Sequence, residues 1–320
     1  MTGARDSYWL VAGGLNLDCL AWPSGLFRLN DSNPGKILER PGGVGFNLVR
    51  DMSRLGQRLI FLTARGDDEA GLSLFHSVRE GGIDLSHALV RKAYSTSRYL
   101  AIHDDQGDMV AAINDMTIFD TMTAEEVKPW LSLGGSDPKV CKGAFLEPNL
   151  PADVLYALAS AWQAPLFADG VSVAKVGRLR AILPFLRGLK VNRVEAAQLT
   201  GEPVRSLEEA SIAARLILER GVDMVCLSLD VDGALFADEN TCLRVCPRRE
   251  IHDGNTTGAG DAMAAAFAWA AVEGYGLEQI ARFGAAAAAI TMESTEAVNP
   301  RLSLDLLLGC LEQVKIEVIK

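Results

Sequence analysis

The stretch Asn255-Thr256-Thr257-Gly258-Ala259-Gly260-Asp261, running into the alanine-rich segment Ala262–Ala271, decides how the rest of the chain is read. Two glycines around an alanine free the backbone to curl, and the apolar run that follows has the composition of a buried helix. The peptide N–H groups of Gly258, Ala259 and Gly260 are therefore expected to converge at a helix N-terminus, where unpaired amides and the helix dipole attract an anion. Asp261 falls beside that anion site. A carboxylate there is repelled by a bound phosphate unless it has a task, and the fitting task is to take the proton from a hydroxyl that attacks phosphorus. The plainer alternative is a loop whose Asp caps a helix.

A second glycine motif, Pro41-Gly42-Gly43-Val44-Gly45-Phe46-Asn47, precedes a helical pattern at Leu48, Met52 and Leu55. Alone it could be only a tight connection. Paired with Thr-x-Gly-Ala-Gly-Asp about 210 residues later in a chain of 320, it resembles the ribokinase-like (PfkB) family of carbohydrate and nucleoside kinases. The resemblance implies that Gly42, Gly43 and Asn47 close over a sugar and that Asp261 is the base for phosphoryl transfer.

Composition agrees with a small-molecule partner. With 49% hydrophobic residues the chain can bury a large core. Its formal charge of −10 argues against a nucleic acid polymer, whose phosphates call for clustered Lys and Arg. Met1–Ser7 is polar and lacks a signal core, so a cytoplasmic protein is expected. The oily stretches Ala262–Ala271 and Gly284–Thr291 are broken by Trp269, Glu273, Glu278 and Arg282, well short of the ~20 apolar residues a membrane helix needs. Six scattered cysteines fit reduced thiols, and Cys242 and Cys246 have no companion ligands for a metal.

Along the chain, Tyr8–Ala12 has the pattern of a buried parallel strand ended by Gly13-Gly14. Strand and helix patterns then alternate: a strand at Arg58–Ala64, a helix at Glu69–Glu80, a helix opened by the capping box Thr123-Ala124-Glu125-Glu126 and running to about Leu133, a helix at Ser172–Leu183, and three closing helices at Ala262–Val272, Leu277–Thr291 and Leu302–Ile316. This βαβ rhythm predicts an α/β fold, a doubly wound, mostly parallel sheet with helices on both faces. Two segments, about 23–40 and 94–116, lack helical period and are expected to form a small β lid inserted in a single domain spanning residues 1–320. In the resembled family such lids often pair between subunits, so a homodimer through the lid is implied.

Asn16 and Asp18 follow the first strand, at the crevice end of a parallel sheet, where Asp18 either accepts hydrogen bonds from sugar hydroxyls or merely caps a loop. The resemblance assigns it to the sugar. Asn192-Arg193-Val194-Glu195 is either a plain helix start or, as the resemblance implies, a site where Asn192 and Glu195 organise Mg²⁺ and its waters beside the nucleotide phosphates. Ser228, Asp230 and Gly233 fall where the family has Thr-x-Gly-x-x-Gly beside ATP, with Asp230 replacing a glycine, and Thr257 is placed with them on the nucleotide side. Glu147 resembles a family carboxylate facing the phosphates and is a weaker candidate metal ligand. Asn255 stands where many members have Asp, which weakens an expectation of K⁺.

Finer similarities point to the pseudouridine kinase branch of the family. They lie in Ser32-Asn33-Pro34-Gly35-Lys36, Ala112-Ile113-Asn114-Asp115-Met116, the run from Asn255 to Met263, Glu293, and Asn299-Pro300 with Ser303. The implied activity is ATP- and Mg²⁺-dependent phosphorylation of the 5′-hydroxyl of pseudouridine, with Asn114 reading the uracil edge. A kinase of ribose, adenosine or a ketohexose is the alternative within the family, and a sugar-binding regulator without catalysis is the alternative outside it.

Overall fold

Alternation along the strands sets the architecture. In the computed structural model, which describes residues 7–135, 137, 139–247 and 256–319, the odd-numbered Trp9, Val11, Phe61, Phe145 and Phe167 pack on one side of a sheet and the even-numbered Leu10, Ala12, Ile60, Leu62, Ala144 and Leu146 on the other. Both faces are apolar, so both must be covered, as expected of a parallel sheet between helical layers. The helices Val44–Arg54, Glu69–Glu80, Ala259–Val272 and Leu277–Met292 cover the first face, and Ala152–Ala161, Arg193–Thr200 and Leu207–Leu218 the second.

The sheet has nine strands. Six run parallel in the order Leu59–Leu62, Tyr8–Ala12, Cys141–Leu146, Leu166–Asp169, Leu186–Asn192 and Met224–Ser228. Ala234–Ala237, Cys242–Pro247 and Val314–Val318 extend it antiparallel. The doubly wound, mostly parallel, ribokinase-like fold is thus present, and the C-terminal ends of its parallel strands form one crevice edge.

A separate four-stranded sheet, ordered Gly35–Gly42, Asn16–Pro23, Arg98–His103 and Met109–Asp115, is the lid. Its first strand begins at Asn16, earlier than the polar segment at 23 suggested, because Asn16 pairs with Gly42 and Asp18 with Arg40. The lid therefore carries the candidate sugar residues itself.

Three helix expectations differ in the structure. Thr123 and Glu126 do exchange hydrogen bonds, Thr123 N–H to Glu126 Oε2 at 2.9 Å and Glu126 N–H to Thr123 Oγ1 at 3.4 Å. The segment nevertheless proceeds as turns into the 3₁₀ helix Lys128–Trp130, since Pro129 has no N–H to continue an α-helix. Ser172–Leu183 breaks into a four-residue helix, Val173–Val176, and 3₁₀ turns beginning at Gly177 and Leu183. The last helix stops at Cys310, and Val314-Lys-Ile-Glu-Val318 forms the edge strand that its β-branched alternation favours.

Candidate active site

The first glycine motif turns the chain from the lid into the helix Val44–Arg54. Gly43 caps that helix at φ 101°, a left-handed conformation open to glycine, and a Cβ there would lie 2.5 Å from Asn16 Oδ1. A side chain on Gly42 would collide with the Asp18 carboxylate. Asn16 donates to Asp18 Oδ1, and burial raises the Asp18 carboxyl to about 6, with Arg40 and Asn16 acting against the rise. In cross-strand register Arg40, Asp18, Tyr99 and Asn114 form one row on one face of the lid. Asn114 lies within the strand Met109–Asp115 rather than in a turn, exposed, in the same row as Asp18.

The second motif meets the first through a single contact. Asn47 Nδ2, one turn into its helix, donates to Asp261 Oδ2 at 2.7 Å across 214 residues of chain. Gly258 caps the helix Ala259–Val272 at φ 81°, and any Cβ there would strike the Ala297 carbonyl. The Ala259 N–H turns back to Thr256 O at 3.3 Å. The first-turn amides of Gly260 and Asp261 remain without intrahelical carbonyls, as at any helix start. Asp261 itself is 7% exposed.

Charge around Asp261 is dense. Burial, then the charge of Asp169, push its carboxyl up to about 7, while Lys190 and the Asn47 hydrogen bond hold it down and Glu147 adds to the rise. Lys190 and Asp169, opposite one another on adjacent strands, form a buried ion pair at 3.0 Å. Neither was singled out in the sequence. A lysine inside the apolar strand Leu186–Asn192 was the available signal, because a charge in a buried parallel strand needs a partner. Asp51, one helical turn beyond Asn47, was missed too. It is fully buried, neither carboxylate oxygen has a hydrogen-bond partner among the described residues, and burial followed by the charge of Asp261 holds its carboxyl well above the usual carboxylate range.

Glu147 lies behind the first glycine turn, not open to the crevice. It is 0% exposed, accepts from the Gly14 N–H at 2.5 Å and from Asn149, and burial raises it to about 7. Its oxygens are engaged by the chain, which fits a group that fixes the Gly13-Gly14 turn better than a metal ligand.

On the nucleotide side, Asn192 and Glu195 form a reciprocal capping box: Asn192 Oδ1 accepts from Glu195 N–H at 2.9 Å and Glu195 Oε2 from Asn192 N–H at 2.8 Å. Glu195 is buried and its carboxyl is raised, first by burial and then by Asp169, with Lys190 opposing. The capping arrangement leaves Glu195 Oε1 outside the box. Among the described residues no group of three or more His, Cys, Asp or Glu side chains could hold a metal alone. Glu195 Oε1 suits a hard cation carried on nucleotide phosphates and reached through water, whereas both Asp169 oxygens are engaged, Oδ1 by the Val171 N–H at 2.8 Å and Oδ2 by Lys190 at 3.0 Å. Ser228 Oγ donates to Val191 O at 3.5 Å. Asp230 keeps the left-handed turn a glycine would take, at φ 52°, which aspartate tolerates better than most residues. Its carboxylate lies 3.7 Å from Arg193, which also pairs with Asp232. Gly233 ends the turn at φ 89°. Thr257 is exposed beside Gly258, and Asn255 lies outside the described residues.

A crevice at the C-terminal strand ends, a glycine-framed helix N-terminus with an aspartate, and a β lid carrying sugar-side polar groups define the ribokinase-like class of phosphotransferases. Comparison with known proteins identifies the family. Residues 7–303 match the pfkB family carbohydrate kinase. Pseudouridine kinase of Escherichia coli K12 is 30% identical over 97% of this chain and 98% of its own. Among solved structures, a putative sugar kinase from Clostridium perfringens superposes with a TM-score of 0.82 at 27% identity over 99% of both chains. An Arabidopsis thaliana ribokinase complexed with ribose and ATP shares the fold, with a TM-score of 0.83 at 21% identity over 96% of this chain and 99% of that one. The chain belongs to the PfkB family of carbohydrate kinases and is a phosphotransferase with an alcohol acceptor.

Proposed function

We propose that this kinase transfers the γ-phosphoryl group of ATP to the 5′-hydroxyl of pseudouridine, giving pseudouridine 5′-phosphate, with Asp261 as general base. The Asn47–Asp261 hydrogen bond carries the reading. It joins the motif proposed to hold the ribose to the motif proposed to hold the phosphoryl group, so an alcohol bound at the first is presented to the carboxylate of the second. The full-length resemblance to a pseudouridine kinase supports the choice of acceptor.

In this reading Asp18, held by Asn16, accepts hydrogen bonds from the ribose hydroxyls, and the backbone at Gly42 and Gly43 lies against the sugar. Asn114, in the Asp18 row, offers both a donor and an acceptor to the uracil edge. Asp261 takes the 5′-hydroxyl proton as the oxygen attacks phosphorus, while the amides of Gly260 and Asp261 face the charge on the transferring group; the Ala259 N–H, expected to join them, is turned back to Thr256 O. ATP lies along Asn192, Glu195, Ser228, Asp230, Gly233 and Thr257. Its Mg²⁺, when bound, neutralises phosphate charge, and Glu195 orients it through water.

The test is ADP release with MgATP against pseudouridine, uridine, adenosine, ribose and fructose, with Asp261→Asn alongside. Turnover on pseudouridine above all others, lost in the variant, is expected. Turnover on another acceptor would reject the substrate, and an active Asp261→Asn would reject the base.

A further inference from the structure

The phosphoryl site as described is crowded with negative charge. Asp169, Glu195 and Asp261 all act on Lys190, and Asp169 and Glu147 both act on Asp261. A transferring phosphoryl group adds more negative charge to this ring. The Gly260 and Asp261 amides oppose it with partial charges, and the buried Lys190 opposes it with a full one.

Lys190 is placed for more than sheet stability. Its side chain is 8% exposed, its ammonium lies 3.0 Å from Asp169 Oδ2, and a Cβ on Gly260 would sit 2.7 Å from Nζ. The ammonium is thus packed against Gly260, in the first turn of the helix Ala259–Val272. Register fixes it there: Asp169, Lys190 and Cys226 are direct neighbours across three parallel strands, so the lysine rises from the same sheet face as the Asp169 carboxylate.

We propose that Lys190 is a positioning residue for phosphoryl transfer: a fixed cation packed against the glycine loop that offsets the surrounding carboxylates and lets the loop accept charge in the transition state. This rests on reading Gly258–Asp261 as the phosphoryl loop. During the step the acceptor oxygen bonds to the γ-phosphorus, the bond to the ADP oxygen breaks and the hydroxyl proton passes to Asp261. Lys190 exchanges no proton or bond. Its effect is electrostatic, and such a preorganised charge acts where charge moves rather than on ground-state binding.

The test compares wild type, Lys190→Met and Asp169→Asn/Lys190→Met. Readouts are steady-state kinetics on whichever acceptor wild type turns over, calorimetric affinity for MgADP with and without aluminium fluoride as a planar phosphoryl mimic, and thermal unfolding. Lys190→Met is expected to lower kcat by roughly 10²–10³-fold, the usual effect of removing one oxyanion stabiliser. The acceptor KM and the affinity for MgADP alone should stay within about threefold, while the gain in affinity on adding aluminium fluoride disappears. The double variant, which no longer buries a lone carboxylate, should regain thermal stability without regaining kcat. A kcat for Lys190→Met within about threefold of wild type, or a double variant that recovers kcat along with stability, would overturn the proposal. Failure of the acceptor assignment shows instead in the wild-type arm, as turnover on a different alcohol. A wild type with neither turnover on any acceptor nor a fluoride-dependent gain in affinity would reject the loop reading, and this inference with it.

Discussion

Asp261 and Asp51 are both buried acids raised above their ordinary range, and they lead to opposite expectations. As the proposed general base, Asp261 would act only as a carboxylate, so kcat/KM should climb with pH and level off above about 7, the value to which burial and Asp169 raise it. Asp261→Asn should cost about 10²–10⁴-fold in kcat, and a pH-rate profile with its control variant checks both. Asp51 makes no hydrogen bond through either oxygen among the described residues and has no assigned chemistry. The folded protein binds its proton more tightly than the unfolded chain does. Stability therefore falls as pH rises from the ordinary carboxylate range toward the raised value, by up to about 1.4 kcal/mol per pH unit. Asp51→Asn should remove this share. Its advantage over wild type in thermal unfolding should widen between pH 5 and pH 8, and an equal offset at every pH would show that folding does not raise the Asp51 carboxyl.

Gly258 shows how a helix start depends on one backbone conformation. Gly258→Ala must carry a Cβ at φ 81°, which costs about 1–2 kcal/mol before its collision with the Ala297 carbonyl is counted. Denaturant unfolding should show at least that loss, with kcat falling further because the loop amides move. Both glycine motifs were legible as helix starts because glycine followed by a periodic apolar run has few other readings. The two motifs also announced a kinase site, but not its electrostatic floor. Lys190, a charge inside an apolar strand, signalled the need for a partner, but not that Asp169 would be it, because register across a parallel sheet is not written in either strand alone. The same limit explains the edge strand Val314–Val318, whose pairing with Cys242–Pro247 outweighs the helical tendency of the residues before it. At Pro129 the reverse held: a local rule, the missing N–H, ended a helix that the capping box had announced.

At the scale of the whole molecule, the lid presents an uncovered apolar face. Opposite the Asp18 row, Ile37, Leu100 and Ile113 share one side of the sheet, 71%, 39% and 68% exposed. We expect a second copy to cover it, as the notion of a lid shared between subunits requires. Sedimentation should give a dimer for wild type and a monomer for Ile37→Glu/Ile113→Glu, with the acceptor KM raised because the lid loses its support. A monomeric wild type would rule this arrangement out.

The hydrogen bond between Asn47 and Asp261 also bears on how the protein comes into being. The ribosome makes the chain from its N-terminus, and the half-site around Asn47 emerges long before its partner. Because that contact closes a loop of most of the polypeptide, it belongs to the slow, non-local class of folding events. With Asp261 as the proposed base, a nascent chain that has already paired Tyr8–Ala12 with Leu59–Leu62 still lacks the carboxylate that would activate the acceptor hydroxyl. In that reading, activity waits on the synthesis and docking of the segment that carries it.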